Sequence, residues 1–199
     1  TRKITRALAR IALGLQDCIF AAGGAAPMPP ELLRWYGRIG LNLAEGYGMT
    51  ENLAATHITV PGQAIGTVGQ TYDGVQCRLD PASGEIQVRC HGLMLGYYKE
   101  PELTREAFTA DGWLRTGDKG ALDVEGNLKI TGRVKDLFKT SKGKYVAPAP
   151  IEDKLVMHAA VEACCVTGAN IGQPLALVML NLEAMQEAAG ADGRSALER

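Results

Sequence analysis

The spacing of apolar and polar positions changes character twice along the chain, and the changes mark three stretches. In the first, apolar residues at helical spacing predict an amphipathic basic helix over Ile4–Gln16. A short apolar strand, Asp17–Ala22, follows, and then the turn Gly23-Gly24-Ala25-Ala26-Pro27. A second helix, Pro30–Ile39, is entered through Pro29-Pro30, where proline suits a first helical turn. Leu41–Ala44 is a second short strand, ending in Glu45-Gly46-Tyr47-Gly48. Helix, strand, helix, strand is the order of part of an α/β sheet. No strand precedes the first helix, so the sheet reads as cut off there.

In the middle stretch, about 66–133, strand-like runs are closely spaced: Val75–Leu79, Glu85–Cys90, Trp113–Arg115, Gly120–Val124 and Leu128–Thr131. Turn clusters separate them, at Asp80-Pro81-Ala82-Ser83-Gly84, Asp111-Gly112 and Glu125-Gly126-Asn127, and one short helix, Glu102–Phe108, interrupts. Such spacing predicts a small barrel or sandwich. The last stretch opens with Arg133, Lys135, Lys139, Lys142 and Lys144, continues with a helix over Ala149–Met157 and strands over Ala163–Thr167 and Ala176–Leu182, and closes in a helical tail, Glu183–Arg199.

Composition narrows the class. The apolar fraction of 46% and charged fraction of 22% are those of an ordinary globular protein, and a net charge of -1 argues against nucleic acid as a partner. The 24 glycines among 199 residues are well above the usual ~7%, as expected where turns are tight or backbone approaches a ligand. Cys18, Cys77, Cys90, Cys164 and Cys165 are odd in number and lack CxxC spacing, and most sit in apolar runs. They read as buried free thiols of a reducing, cytoplasmic compartment. His57, His91 and His158 have no metal-ligand spacing. No apolar stretch approaches the ~18 residues of a membrane span, so any membrane contact is expected to be peripheral or to lie in sequence outside these residues.

Three segments carry candidate chemistry. Tyr47-Gly48-Met49-Thr50-Glu51 follows a strand, and ligands of α/β sheets bind beyond strand carboxyl ends. There an aromatic can stack on a base, a glycine lets backbone approach, a hydroxyl meets phosphate and a carboxylate holds Mg²⁺. The same residues also suit a turn into a helix capped by Thr50. In Trp113-Leu114-Arg115-Thr116-Gly117-Asp118 the acid suits a ribose diol, and the segment equally suits a hairpin turn. The cations of Gly132–Lys144 repel one another unless they face phosphate or lie on a solvated hairpin.

In their order and spacing these segments resemble the adenylate-forming (AMP-binding) superfamily of acyl-CoA synthetases, peptide-synthetase adenylation domains and luciferases. Tyr47–Glu51 resembles its Tyr-Gly-x-Thr-Glu motif, and Trp113–Asp118 its Thr-Gly-Asp motif. The segment from Gly84-Glu85-Ile86-Gln87-Val88 to Gly96-Tyr97-Tyr98 is similar to its Gly-Glu motif, and Gly132–Pro148 to its hinge motif. The run Lys139–Pro148 with Ile151-Glu152 is most similar to long-chain fatty acyl-CoA synthetases.

The resemblance implies an ATP-dependent ligase that joins a fatty acid to AMP and passes it to CoA, with ATP, Mg²⁺ and CoA as its small-molecule partners. It implies that Gly24, Ala25 and Ala26 line the adenine and acyl-carboxylate site, that Glu45 and Gly46 edge the adenine and that Tyr47 stacks on it. Thr50 would meet the α-phosphate, Glu51 hold Mg²⁺, Asp118 the ribose hydroxyls, and Arg133 the ribose–phosphate region. Lys135 would be the hinge, with Lys139 and Lys144 near phosphate or the CoA channel. The implied fold is α/β and α+β: the end of a large α/β subdomain (1–65), a distorted β-barrel (66–134) and the start of a small α+β lid (135–199).

Lys142-Gly143 stands where the family often has Gly-Gly, which puts a charged side chain at the expected thiol channel. The family's Ser/Thr/Gly-rich phosphate loop and its late lysine have no counterpart between Thr1 and Arg199. The expectation is therefore a C-terminal-half piece of such a ligase, inactive alone and prone to self-associate through its open sheet edge. Other adenylating enzymes (fatty acyl-AMP ligase, aryl-CoA ligase, peptide-synthetase domain) and a non-catalytic nucleotide-binding module remain as alternatives.

Overall fold

A computed structural model describes residues 2–26 and 28–189. It divides into two compact units between Ile130 and Thr131.

The first unit opens with α1 (Arg2–Ala12), whose residue Arg10 ties down the segment after the helix by donating to the carbonyls of Leu15, Gln16 and Cys18. Strand β1 (Ala21–Gly23) leads through α2 (Pro30–Arg38) to β2 (Leu43–Tyr47), and β1 and β2 pair in parallel with Gly23 opposite Glu45. Strand β2 runs on through Glu45, Gly46 and Tyr47, beyond the Leu41–Ala44 expected from apolar residues alone. The extension is fixed by hydrogen bonds rather than by hydrophobicity. Thr59 N–H donates to the Glu45 carbonyl and Thr59 Oγ1 lies 2.7 Å from the Glu45 amide. A 3₁₀ turn (Thr50–Asn52) follows, and β3 (His57–Ile58) and β4 (Gln70–Thr71) complete a four-stranded sheet in the order β1-β2-β3-β4.

A second four-stranded sheet has the order β5-β6-β7-β8, from β5 (Gln76–Leu79), β6 (Glu85–Arg89), β7 (Leu114–Leu122) and β8 (Leu128–Arg133). Helix α3 (Pro101–Ala107) lies between β6 and β7 in the chain. Leu128 joins the two sheets, donating to the Gly69 carbonyl and accepting from the Val68 amide, both at 2.8 Å. The strands curl as a half-barrel around Tyr47, Ile86, Val88, Leu114 and Leu128. Where separate strands at Trp113–Arg115 and Gly120–Val124 were expected, one strand passes straight through Thr116-Gly117-Asp118. A break in register permits this, because Gln87 faces Arg115 while Glu85 faces Lys119. The extra residues bulge out, and Gly117, at φ +74°, supplies a backbone conformation that a side chain would strain.

In the second unit β9 (Phe138–Lys139) and β10 (Tyr145–Val146) form a hairpin, followed by α4 (Ala149–Leu155), β11 (Val161–Thr167), β12 (Leu175–Leu180) and α5 (Leu182–Ala189). Helix α4 docks on β11 through Glu152, which accepts the Val166 amide at 2.7 Å. All six residues of β12 are exposed. The last part of the predicted tail helix, 190–199, lies outside the described residues, as does Pro27 of the first turn. All five cysteines are free, as expected, but they depart from expectation in burial: none is fully buried, and Cys165 is exposed. Cys77 comes nearest to the expected buried thiol, since burial pushes it up to about 11. Among the described residues no helix is long and apolar enough to cross a membrane.

Candidate functional site in the first unit

The parallel pair β1–β2 ends in two loops that approach closely. A Cβ on Gly24 would sit 3.1 Å from the Gly46 carbonyl oxygen. Gly24, Ala25 and Ala26 are exposed beside it, with Ala25 at φ +68°. Glu45 turns inward: it is buried, and its Oε1 accepts the Met28 amide at 3.2 Å, stapling the loop after β1 to β2. Burial raises its pKa and so weakens it as an acid, against the opposing pull of its backbone donors.

Tyr47 links the sheets. Its ring belongs to the core and its hydroxyl donates to Asp118 Oδ2 at 2.7 Å, across 71 residues of sequence. Burial drives the phenol far above its ordinary range, so it stays protonated and remains a donor. Behind it lies His57, its cross-strand partner, with ring centroids 5.9 Å apart. His57 is buried with no hydrogen-bond partner at Nδ1, and burial pushes it down to about 4. Below its ordinary 6.5 the unfolded chain therefore takes up a proton that the folded chain refuses until about pH 4. Stability is full above pH 6.5 and is lost on descent through this window, by roughly 2 kcal/mol at pH 5. Denaturant unfolding at pH 7.5 and pH 5 should show that loss, and His57→Gln should remove most of it.

Gly48 was expected to let backbone approach a ligand, but the structure gives it another task. A Cβ there would lie 2.3 Å from the Ala54 carbonyl carbon, so the close approach is to the chain's own loop. Thr50 is exposed at the start of the 3₁₀ turn, and Asn52 Oδ1 accepts the Met49 amide at 2.8 Å. Glu51 Oε1 accepts from the Tyr97 hydroxyl at 2.8 Å, while its carbonyl accepts the Met94 amide. Among the described residues no group of three His, Cys, Asp or Glu could cage a metal ion.

The structure therefore brings Tyr47 and Asp118 into contact, keeps Glu45 and Gly46 on β2 itself, and places Gly24–Ala26, Thr50 and Glu51 on the segments that follow β1 and β2. Arg133, Lys135, Lys139 and Lys144 belong to the second unit: all four are exposed, Arg133 at the end of β8, Lys139 on β9. Lys139 Nζ lies 5.4 Å from the Tyr145 ring centre. Sequence reading gave no role to Glu85, Tyr97 or His57. The available signal was β6, where Glu85 and Gln87 occupy buried positions beside Ile86 and Val88, so polar groups face inward and need partners.

Comparison with known proteins fits this geometry. The family model for AMP-binding enzymes matches residues 5–98. A long-chain-fatty-acid–CoA ligase of Mycobacterium bovis is 41% identical over 160 residues, covering 80% of this chain and 26% of the relative. A sulfoacetate–CoA ligase of Cupriavidus necator is 38% identical over 162 residues, covering 75% and 31%. The o-succinylbenzoate CoA synthetase of Bacillus subtilis, in complex with its acyl-adenylate intermediate, superimposes with a TM-score of 0.77 at 28% identity, covering 87% of this chain and 40% of that one. The chain thus spans about a quarter to a third of the length of these curated relatives. With the strand-end loops, the Tyr47–Asp118 link and the motif order all in place, the chain belongs to the AMP-binding, adenylate-forming enzyme family, in which long-chain fatty acid–CoA ligases are among its relatives.

Proposed function

We propose that the protein carrying this chain is an ATP-dependent acyl-CoA synthetase that activates a fatty acid as acyl-AMP and transfers the acyl group to CoA. The observation that carries this reading is the Tyr47–Asp118 pair, which sets a carboxylate beside the backbone loops at the end of β2. A neutral phenol that donates to Asp118 Oδ2 aims the carboxylate, as contact with two ribose hydroxyls requires. The small residues Gly24, Ala25 and Ala26, with Glu45 and Gly46, leave room for a planar base that packs near Tyr47. Thr50 meets the α-phosphate.

Glu51 suits Mg²⁺, which would neutralise phosphate charge while the carboxylate of the acid attacks. A carboxylate is a poor electrophile until AMP becomes its leaving group, so most of the catalytic work is positioning and charge compensation. Arg133 contacts the nucleotide, and Lys139 and Lys144 serve phosphate or the CoA channel. The three regions 1–65, 66–134 and 135–199 are the end of the large α/β subdomain, the β-barrel and the start of the C-terminal lid domain, in the cytoplasm or at the edge of a membrane. Long acids are favoured by the mycobacterial relative, whereas the sulfoacetate–CoA ligase favours a small polar acid as the second reading.

The test is pyrophosphate release by the whole protein with ATP, Mg²⁺ and CoA, across acids from acetate and sulfoacetate to oleate. Turnover of long acids supports the synthetase reading. Turnover of none would leave a nucleotide-binding module in its place. The isolated chain, run alongside, should release no pyrophosphate, and light scattering should show it self-associating.

Lys135 follows β8 and is exposed, which suits a hinge between two half-reactions. Proline fixes φ, so Lys135→Pro in the whole protein should leave acyl-AMP formation within about threefold and lower thioester formation by about a hundredfold. Equal loss of both half-reactions would remove the hinge assignment.

A further inference from the structure

One segment singled out by its resemblance has no ligand role: Gly84–Tyr98, which comprises β6 and the loop after it. Its two polar ends each bond the element that carries a candidate ligand carboxylate, the first at the backbone before Asp118 and the second at Glu51 itself. At the first end, Glu85 is buried and its Oε1 accepts the Gly117 amide at 3.1 Å, while Oε2 accepts from the Arg115 guanidinium at 3.2 Å. The next carbonyl, that of Ile86, accepts Thr116 Oγ1 at 2.8 Å. Thr116 Oγ1 in turn accepts the Asp118 amide at 3.2 Å. The bulge before Asp118 is therefore pinned at Arg115, Thr116 and Gly117 by two consecutive residues of β6. At the second end, Tyr97 donates its hydroxyl to Glu51 Oε1 at 2.8 Å, and Met94 donates its amide to the Glu51 carbonyl. The Tyr97 amide itself donates to Thr104 Oγ1 at 2.9 Å, which anchors the ring's backbone to α3.

We infer that Gly84–Tyr98 is the orienting frame of the nucleotide site, with Glu85 a positioning residue that acts through Asp118 and Tyr97 a positioning residue that acts through Glu51. The inference rests on the reading of Asp118 and Glu51 as ribose and metal ligands. The physical need is plain. A bulge is the part of a sheet least held by ladder hydrogen bonds, so a side chain aimed by it wanders unless its backbone amides find other partners. Glu85 supplies an acceptor at the one glycine of the bulge, where backbone freedom is greatest. Glu51 sits on a single short turn, and the Tyr97 hydroxyl limits its rotamers from outside that turn.

The two arms predict separable failures in the whole protein. Binding of AMP and 2′-deoxy-AMP, read by calorimetry, reports the ribose contact. Wild type should prefer AMP by about tenfold. Glu85→Ala should bring that preference close to one, and Glu85→Gln, which keeps an acceptor for the Gly117 amide, should restore most of it. Thr116→Val, which cuts the same path at a neutral side chain, should also reduce it and serves if Glu85→Ala does not fold. Tyr97→Phe should leave the ribose preference unchanged and raise the half-saturating Mg²⁺ for ATP binding about tenfold.

A merely structural role would weaken both nucleotides equally and leave the Mg²⁺ requirement alone. Retained ribose preference in Glu85→Ala, or in Thr116→Val if the former does not fold, overturns the Glu85 assignment. An unchanged Mg²⁺ midpoint in Tyr97→Phe overturns the Tyr97 assignment. A wild type with no ribose preference would instead remove the ribose reading of Asp118 and this inference with it.

Discussion

Asp118→Asn in the whole protein should weaken AMP binding about 30- to 100-fold while leaving the fold nearly as stable as before. Asparagine keeps an oxygen that can accept the Tyr47 hydroxyl, the bond seen at 2.7 Å, so the link between the two sheets survives. What disappears is charge. A hydrogen bond to an ionised acceptor contributes about 1.5–3 kcal/mol, roughly twice a neutral one, and a ribose diol makes two of them. The loss should appear in Kd for AMP by calorimetry, with the unfolding midpoint unchanged within a few degrees.

Tyr47→Phe provides the contrast. The ring stays in the core, but Asp118 loses the donor that aims it, so binding should weaken by about tenfold, less than in Asp118→Asn. Because burial holds the Tyr47 phenol protonated, neither effect should vary between pH 6 and pH 9. An Asp118→Asn protein that binds AMP as tightly as wild type would show that this carboxylate does not hold the nucleotide.

Gly48→Ala should be the most damaging single methyl that can be added to the motif after β2. The new Cβ would stand 2.3 Å from the Ala54 carbonyl carbon and 2.5 Å from its Cα. These are backbone atoms, so no rotamer change relieves the clash, and the loop must move away from β2. Overpacking of this kind costs about 3 kcal/mol, equivalent to a fall of roughly 10 °C in Tm. The same displacement carries Thr50 and Glu51 away from the end of β2, so AMP·Mg²⁺ binding should fall with stability.

Gly37→Ala is the control. Gly37 lies inside α2, and its Cβ would meet only Asn42 Oδ1 at an ordinary 3.5 Å, so alanine there should stabilise by about 1 kcal/mol. Differential scanning calorimetry of the two variants should give opposite signs. Equal small shifts would mean that the loop after Gly48 packs otherwise than described.

Local pattern was sufficient for most elements because the forces that set them are local. Helices α2, α3 and α4 each carry a proline in the first turn, where its fixed φ and missing N–H favour a helix start. Strands β5 and β6 lie within a residue of their apolar runs, and the turn between them is closed by Asp80, whose Oδ1 accepts the Ala82 and Ser83 amides. Pattern failed where hydrogen bonds rather than burial of apolar surface hold the chain. The extension of β2 through a buried glutamate and the passage of β7 through Thr116-Gly117-Asp118 both belong to this class. So do the two-residue strands β3, β4, β9 and β10, too short for any period to register.

The sequence by itself determined the family, the order of the motifs and the candidate ligands, because these depend on residue type and spacing along the chain. It also determined that Asp118 and Glu51 are the acids to ask about. Only the tertiary structure decided what holds them. Tyr47 and Asp118 are 71 residues apart, Tyr97 and Glu51 46, and Glu85 and Gly117 32, and each meets its partner because the strands curl around one core. It likewise decided that Gly48 makes room for the chain itself, and that His57 is a neutral ring behind Tyr47. Residue types set which bonds a side chain can make, while which partner lies within 3 Å is set by strand register, and register across distant segments is a property of the whole sheet.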